Sequence, residues 1–145
     1  MRPMDGKTAL VTGASSGIGR AIAQRFAEDG ARVYLTGRGK DELVAAAESI
    51  GPAAVAVPCD VSQAADLDHV MDVIRGDGRQ LDVVVANAGL GDGSRLQDVT
   101  EEQFDYVFGV NTKGSLLTVQ KSLPLLATPA SVIELASRIM PAHDP

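Results

Sequence analysis

A short run of small residues near the start of the chain has the composition and spacing of a phosphate-binding turn. Segment 12–19 reads TGASSGIG and lies between an apolar run, 8–12, and a stretch with helical spacing of apolar residues, 18–29. Gly13 can make a tight turn after the strand, and Gly17 lets a pyrophosphate come close to the backbone. Gly19 lets the helix pack closely against the strand. The N–H groups at the helix start would bind the phosphates, with the hydroxyls of Ser15 and Ser16 as further donors. No Gly-Lys-Ser/Thr ending follows, which disfavours a triphosphatase loop, so the run predicts a dinucleotide site.

The residues after the second apolar run bear on which dinucleotide would bind. An acidic residue at the tip of this strand would bind a ribose 2′-hydroxyl, whereas an arginine favours a 2′-phosphate. Here the run 32–36 is followed by Gly37 and Arg38, with Lys40 close behind and no carboxylate at the tip. The sequence therefore predicts NADP(H) in preference to NAD(H).

Strand-like and helix-like segments alternate along the whole chain. The predicted strands are 8–12, 32–36, 53–58, 81–86 and 131–136. The predicted helices are 18–29, 40–50, 63–75 with Ser62 as its cap, and a long helix 101–123 that begins at a capping box formed by Thr100 and Gln103. This alternation predicts one Rossmann-like, doubly wound α/β domain over 1–145, with about five parallel strands in the order 3-2-1-4-5.

Composition excludes several classes of function. The net charge of −6 argues against binding to nucleic acid or to anionic membranes, and no apolar stretch approaches 18 residues. The single cysteine, Cys59, ends an apolar run, so we expect a buried side chain rather than a reactive one. A chain without an intramolecular disulfide or an apolar leader is expected to be cytoplasmic, and no metal site is predicted.

In their order and spacing these motifs resemble those of the short-chain dehydrogenase/reductase family. The resemblance implies that the carboxylate of Asp60, which Val61 follows, meets the adenine amino group, and that the Asn-Ala-Gly motif 87–89 shapes the floor of the adenosine and ribose site. The cofactor-binding residues that it implies are Gly13, Ser15, Ser16, Gly17, Ile18, Gly19, Arg38, Asp60, Val61, Asn87, Ala88 and Gly89.

The same resemblance implies carbonyl/alcohol oxidoreduction by hydride transfer and points to two catalytic candidates. Asn111 lies in the long helix, where the family has a structural and proton-relay asparagine. Ser137 follows the fifth predicted strand, at the position of the family's catalytic serine, although 138–141 depart from the small residues usual there.

The family's chemistry also requires a tyrosine and a lysine four residues apart, and no such pair occurs in the 145 residues. Tyr34 is followed four residues later by Arg38, and Tyr106 by Val110. We therefore expect a chain that stops before this motif, lacks the family's last strands and helices, and is poorly active or inactive by itself.

Several interpretations of such a chain stay open. It is a non-catalytic cofactor-binding or interaction module, a split enzyme completed by a partner chain, or a fragment of a longer reductase. A homologue with altered chemistry would use Ser137, Asn111, Asp92 or His143.

A last expectation concerns association. The long helix has apolar residues on more than one narrow stripe, and in the family this helix and the next form a subunit interface. We therefore expect a homo-oligomer or a partner chain to bind there.

Overall fold

Five parallel strands form one sheet in the computed structural model, which describes residues 1–91 and 93–135. In chain order they are β1 (Thr8–Val11), β2 (Arg32–Gly37), β3 (Ala54–Pro58), β4 (Leu81–Ala86) and β5 (Leu126–Glu134). They lie side by side in the order β3-β2-β1-β4-β5, and every neighbouring pair is parallel. The predicted fold class and strand order are therefore confirmed.

Helices connect the strands. They are α1 (Gly17–Glu28), α2 (Lys40–Ile50), α3 (Ala64–Gly76), α4 (Glu101–Phe108) and α5 (Gly114–Ser122). A π-helical turn, Gly109–Lys113, joins α4 to α5, and short 3-10 turns cover Leu96–Asp98 and Leu123–Leu125. Among the described residues, no helix has the length and apolar composition needed to cross a bilayer.

Alternate side chains of the central strands supply two separate cores, because successive residues of a strand point to opposite faces. Leu10 and Tyr34 belong to the core that α3 covers, whereas Val11 and Leu35 belong to the core that α1 and α2 cover. On β4, Val84 joins the first core and Val85 the second, as expected for a strand buried on both faces.

The predicted bounds of β5 were wrong, because the strand begins at Leu126 and not at 131. Leu126 pairs with Leu81 and Ser131 pairs with Val83, with a shift of register between them. Pro129 lies within this strand. In the described sheet β5 is the outermost strand, and a proline is tolerated at an edge because one side of the strand needs no ladder hydrogen bond.

Two helix predictions also need correction. The predicted long helix 101–123 is not one α-helix, since the π-helical turn widens it in the middle. Its predicted start is confirmed, because Thr100 and Gln103 form both hydrogen bonds of a capping box. Ser62 does not cap α3, whose N-cap is Gln63; the Ser62 hydroxyl instead donates to Asp60 Oδ1 at 2.7 Å.

Candidate functional site

The turn between β1 and α1 depends on glycines for two physical reasons. Gly13 and Gly17 have φ angles of +61° and +59°, in the left-handed region that side-chain-bearing residues rarely adopt. Gly19 is buried, and a Cβ built on it would collide with the Gly13 carbonyl oxygen and lie 2.5 Å from Asn87 Nδ2. The turn therefore folds tightly and places the start of α1 at the carboxyl edge of the sheet.

Hydrogen bonds fix this turn to the end of β4. Asn87 Nδ2 donates to the carbonyl oxygens of Thr12 and Gly13, both at 3.1 Å. In return, Thr12 Oγ1 accepts from the backbone N–H groups of Asn87 and Ala88, both at 3.0 Å. The first and fourth strands thus share one rigid junction, and both sides of it face the same cleft.

The loop after β3 is fixed by two carboxylates, one in the loop and one in α3. Asp60 Oδ1 accepts from the backbone N–H of Ser62 at 3.0 Å and from its hydroxyl at 2.7 Å. The backbone N–H of Asp60 donates to Asp66 Oδ2 at 2.8 Å. These bonds orient the Asp60 side chain at the cleft.

An open cleft of about 390 Å³ lies at the carboxyl ends of β1 to β4, within the range of small-molecule sites. Ten of the twelve residues implied to bind cofactor line it: Gly13, Ser15, Ser16, Ile18, Arg38, Asp60, Val61, Asn87, Ala88 and Gly89. The other two, Gly17 and Gly19, lie in the first turn of α1. Four further lining residues were not among those implied to bind cofactor: Gly37, Cys59, Leu90 and Val110. Each directly adjoins a residue that the motifs did mark, and that adjacency was the available signal.

Cys59 forms a neutral part of the cleft wall. Its side chain is 3% exposed, and burial, with smaller effects from Asp66 and Asp60, raises the pKa of its thiol to about 12. The thiol is therefore protonated at neutral pH and behaves as a small hydrophobe, as predicted.

Arg38 lies at the rim of the cleft and is exposed to solvent. Its guanidinium carbon is 5.4 Å from the centroid of the Tyr106 ring, within the range of a cation–π contact. Gly37 precedes Arg38 and packs close to the glycine turn, since a Cβ on Gly37 would lie 3.3 Å from Ser15 Oγ. Because Gly37 has no side chain, Arg38 is the charged residue that the end of β2 contributes to the cleft.

Asn111 lies within the π-helical turn and connects it to the loop after β4. Its Oδ1 accepts from the Leu90 N–H at 2.7 Å, and its Nδ2 donates to the Leu90 carbonyl at 2.8 Å. A π-turn inserts one residue into a helix and often occurs at functional sites. Both ends of the amide bind backbone here, while the proton-relay role stays a prediction. The other candidates, Ser137, Asp92 and His143, lie outside the described residues.

Comparison with known proteins places this geometry in a family. The family model for short chain dehydrogenases matches residues 7–141. An oxidoreductase from Sarocladium schorii is 45% identical over 124 residues, which are 86% of this chain and 50% of that protein.

Two solved structures show the same fold. One is a 3-ketoacyl-(acyl-carrier-protein) reductase from Brucella melitensis complexed with NADH, with 40% identity and a TM-score of 0.78 over 84% of this chain and 50% of the other. The second is a short chain dehydrogenase from Burkholderia cenocepacia in complex with NADP, with 32% identity and a TM-score of 0.84 over 90% of this chain and 55% of the other.

The chain thus spans about half the length of the relatives that it matches. Within that half, the match covers the glycine turn, the Asp60 loop and the 87–89 motif. The chain belongs to the short-chain dehydrogenase/reductase family.

Proposed function

We propose that this chain binds NADP(H) in the cleft at the carboxyl edge of its sheet, and so supplies the cofactor site of an oxidoreductase acting on carbonyl and alcohol groups. One observation carries the proposal: the glycine turn, Arg38, Asp60 and the 87–89 motif converge on the same cleft. The complexes of related structures with NADH and NADP support a dinucleotide as the ligand.

Each wall of the cleft has chemistry suited to one part of the dinucleotide. The N–H groups at the start of α1 and the partial positive charge of the helix suit the diphosphate. The Asp60 carboxylate, fixed by Ser62, suits the adenine amino group. Apolar side chains, with Val61 and Val110 buried, suit the faces of the adenine ring.

The preference for NADP(H) rests on Arg38. A guanidinium binds phosphate through two parallel N–H bonds, which a ribose hydroxyl cannot match. The neighbouring Gly37 carries no carboxylate that would repel a 2′-phosphate.

Replacing Arg38 with leucine is expected to weaken NADPH binding by about 10- to 100-fold, since a hydrogen bond to a charged group contributes about 1.5–3 kcal/mol. NADH affinity should change less than about twofold, because NADH lacks the 2′-phosphate. Fluorescence titration of both nucleotides measures the two constants. Arg38→Lys keeps the positive charge but not the planar guanidinium. Its NADPH affinity should therefore lie between those of the wild type and Arg38→Leu. Equal losses for both nucleotides would contradict the assignment.

Hydride transfer needs a positioned proton donor as well as a bound cofactor. We propose that the 145 residues, which contain no Tyr-x-x-x-Lys, bind cofactor but reduce carbonyls poorly by themselves, with Asn111 and Ser137 as the catalytic candidates that they do contain. A carbonyl-reduction assay with NADPH tests this. Binding without turnover supports a cofactor-binding module, and turnover only after a second protein is added supports a split enzyme.

We also propose that the exposed apolar surface of α4 and α5 binds a second copy or a partner chain. Phe104 and Phe108 stack with ring centroids 4.3 Å apart, and both are about half exposed; Leu116 of α5 is 65% exposed. Such a cluster is costly to leave in water. Sedimentation velocity should show a dimer or larger species that Phe104→Ser with Phe108→Ser dissociates. A wild-type chain that sediments as a monomer at high concentration would exclude self-association.

A further inference from the structure

A contact between Arg38 and Tyr106 links the end of β2 to α4. Arg38 follows β2 and lines the cleft. Tyr106 lies on α4, which directly precedes the π-helical turn whose Val110 lines the same cleft. With its guanidinium carbon 5.4 Å from the centroid of the Tyr106 ring, Arg38 therefore reaches from the wall at β2 toward α4.

We infer that Tyr106 is a positioning residue that holds Arg38 ready for the 2′-phosphate of the cofactor, an inference that rests on the proposed function. The guanidinium carbon lies 5.4 Å from the ring centroid, within the range of a cation–π contact. A guanidinium has five N–H donors, so contact with one ring leaves donors available to a phosphate.

Positioning has value here because Arg38 is exposed and an arginine side chain has many rotamers. An arginine that samples many rotamers loses that freedom when it binds a phosphate, and the loss weakens binding. Contact with a ring on a helix restricts the side chain before the ligand arrives. Tyr106 is itself 43% exposed, so the contact lies partly in water and its effect is moderate.

Two nucleotides that differ only in the 2′-phosphate isolate this effect: adenosine 2′,5′-bisphosphate and AMP. Isothermal titration of the whole chain should show that Tyr106→Leu weakens the bisphosphate by about two- to fivefold and leaves AMP unchanged. Tyr106→Phe keeps the aromatic face and should bind as the wild type does. In an Arg38→Leu background, Tyr106→Leu should have no further effect, because the side chain that it positions is gone.

The outcomes separate this inference from the function on which it rests. A wild-type chain that binds neither nucleotide, or both equally, overturns the assignment of the 2′-phosphate to Arg38 and the positioning role with it. A wild-type preference for the bisphosphate that is undiminished in Tyr106→Leu overturns the positioning role alone. Equal weakening of both nucleotides, with a lowered melting temperature, assigns Tyr106 to the stability of α4 and also overturns it.

Discussion

Replacing Gly19 with alanine is expected to lower the free energy of unfolding by about 3 kcal/mol and to abolish measurable dinucleotide binding. The added Cβ would collide with the carbonyl oxygen of Gly13 and with Nδ2 of Asn87. Neither group can move away freely, because the Asn87 amide is bonded to the Thr12 and Gly13 carbonyls. The turn that lines the cleft must therefore shift. Its backbone N–H groups would then no longer point together toward the proposed diphosphate position.

Urea denaturation and NADPH titration of the same preparation measure the two effects. Gly76→Ala is the matched control, since Gly76 ends α3 and a Cβ there would have no atom within 4 Å. Alanine is the better helix former, so this control should be neutral or stabilising by about 0.5–1 kcal/mol. If Gly19→Ala were as stable as the control, close packing at Gly19 would not be what holds the turn.

Much of this site could be predicted from sequence because its determinants are local. The glycine at φ +61°, Gly13, can be recognised from the few residues around it. The same holds for the capping box at Thr100. The sheet order could be predicted as well, since short right-handed crossovers leave few alternatives. Most strand and helix bounds lie within one residue of those expected.

The features that escaped prediction depend on contacts between distant parts of the chain. The π-helical turn occurs where Asn111 hydrogen-bonds to Leu90, 21 residues earlier. The spacing of apolar residues along a helix does not predict such hydrogen bonds. In the sequence, Tyr106 is notable only because no lysine follows it four residues later. Its ring lies near Arg38, 68 residues earlier in the sequence. Such pairs are visible only once the fold has brought their elements together.

Thr12→Val should show how far the cleft depends on a single hydroxyl. Thr12 is 1% exposed, and its Oγ1 accepts from the N–H groups of both Asn87 and Ala88. Valine fills nearly the same volume but leaves both amides without an acceptor, at a cost of about 1–3 kcal/mol for each unsatisfied group. We therefore expect the free energy of unfolding to fall by roughly 2–6 kcal/mol.

The serine variant separates the hydroxyl from the methyl group beside it. Thr12→Ser keeps both hydrogen bonds and loses one methyl, so it should cost only about 1 kcal/mol and bind nucleotide nearly as the wild type does. Urea denaturation ranks the variants, and hydrogen exchange at the amides of Asn87 and Ala88 locates the effect. A valine variant as stable as the serine variant would mean that water replaces the hydroxyl. Rapid exchange in the valine variant alone would instead show that the Thr12 hydroxyl, beside the Asn87 amide, holds the glycine turn to the end of β4 and so shapes the floor of the cleft on which the proposed function depends.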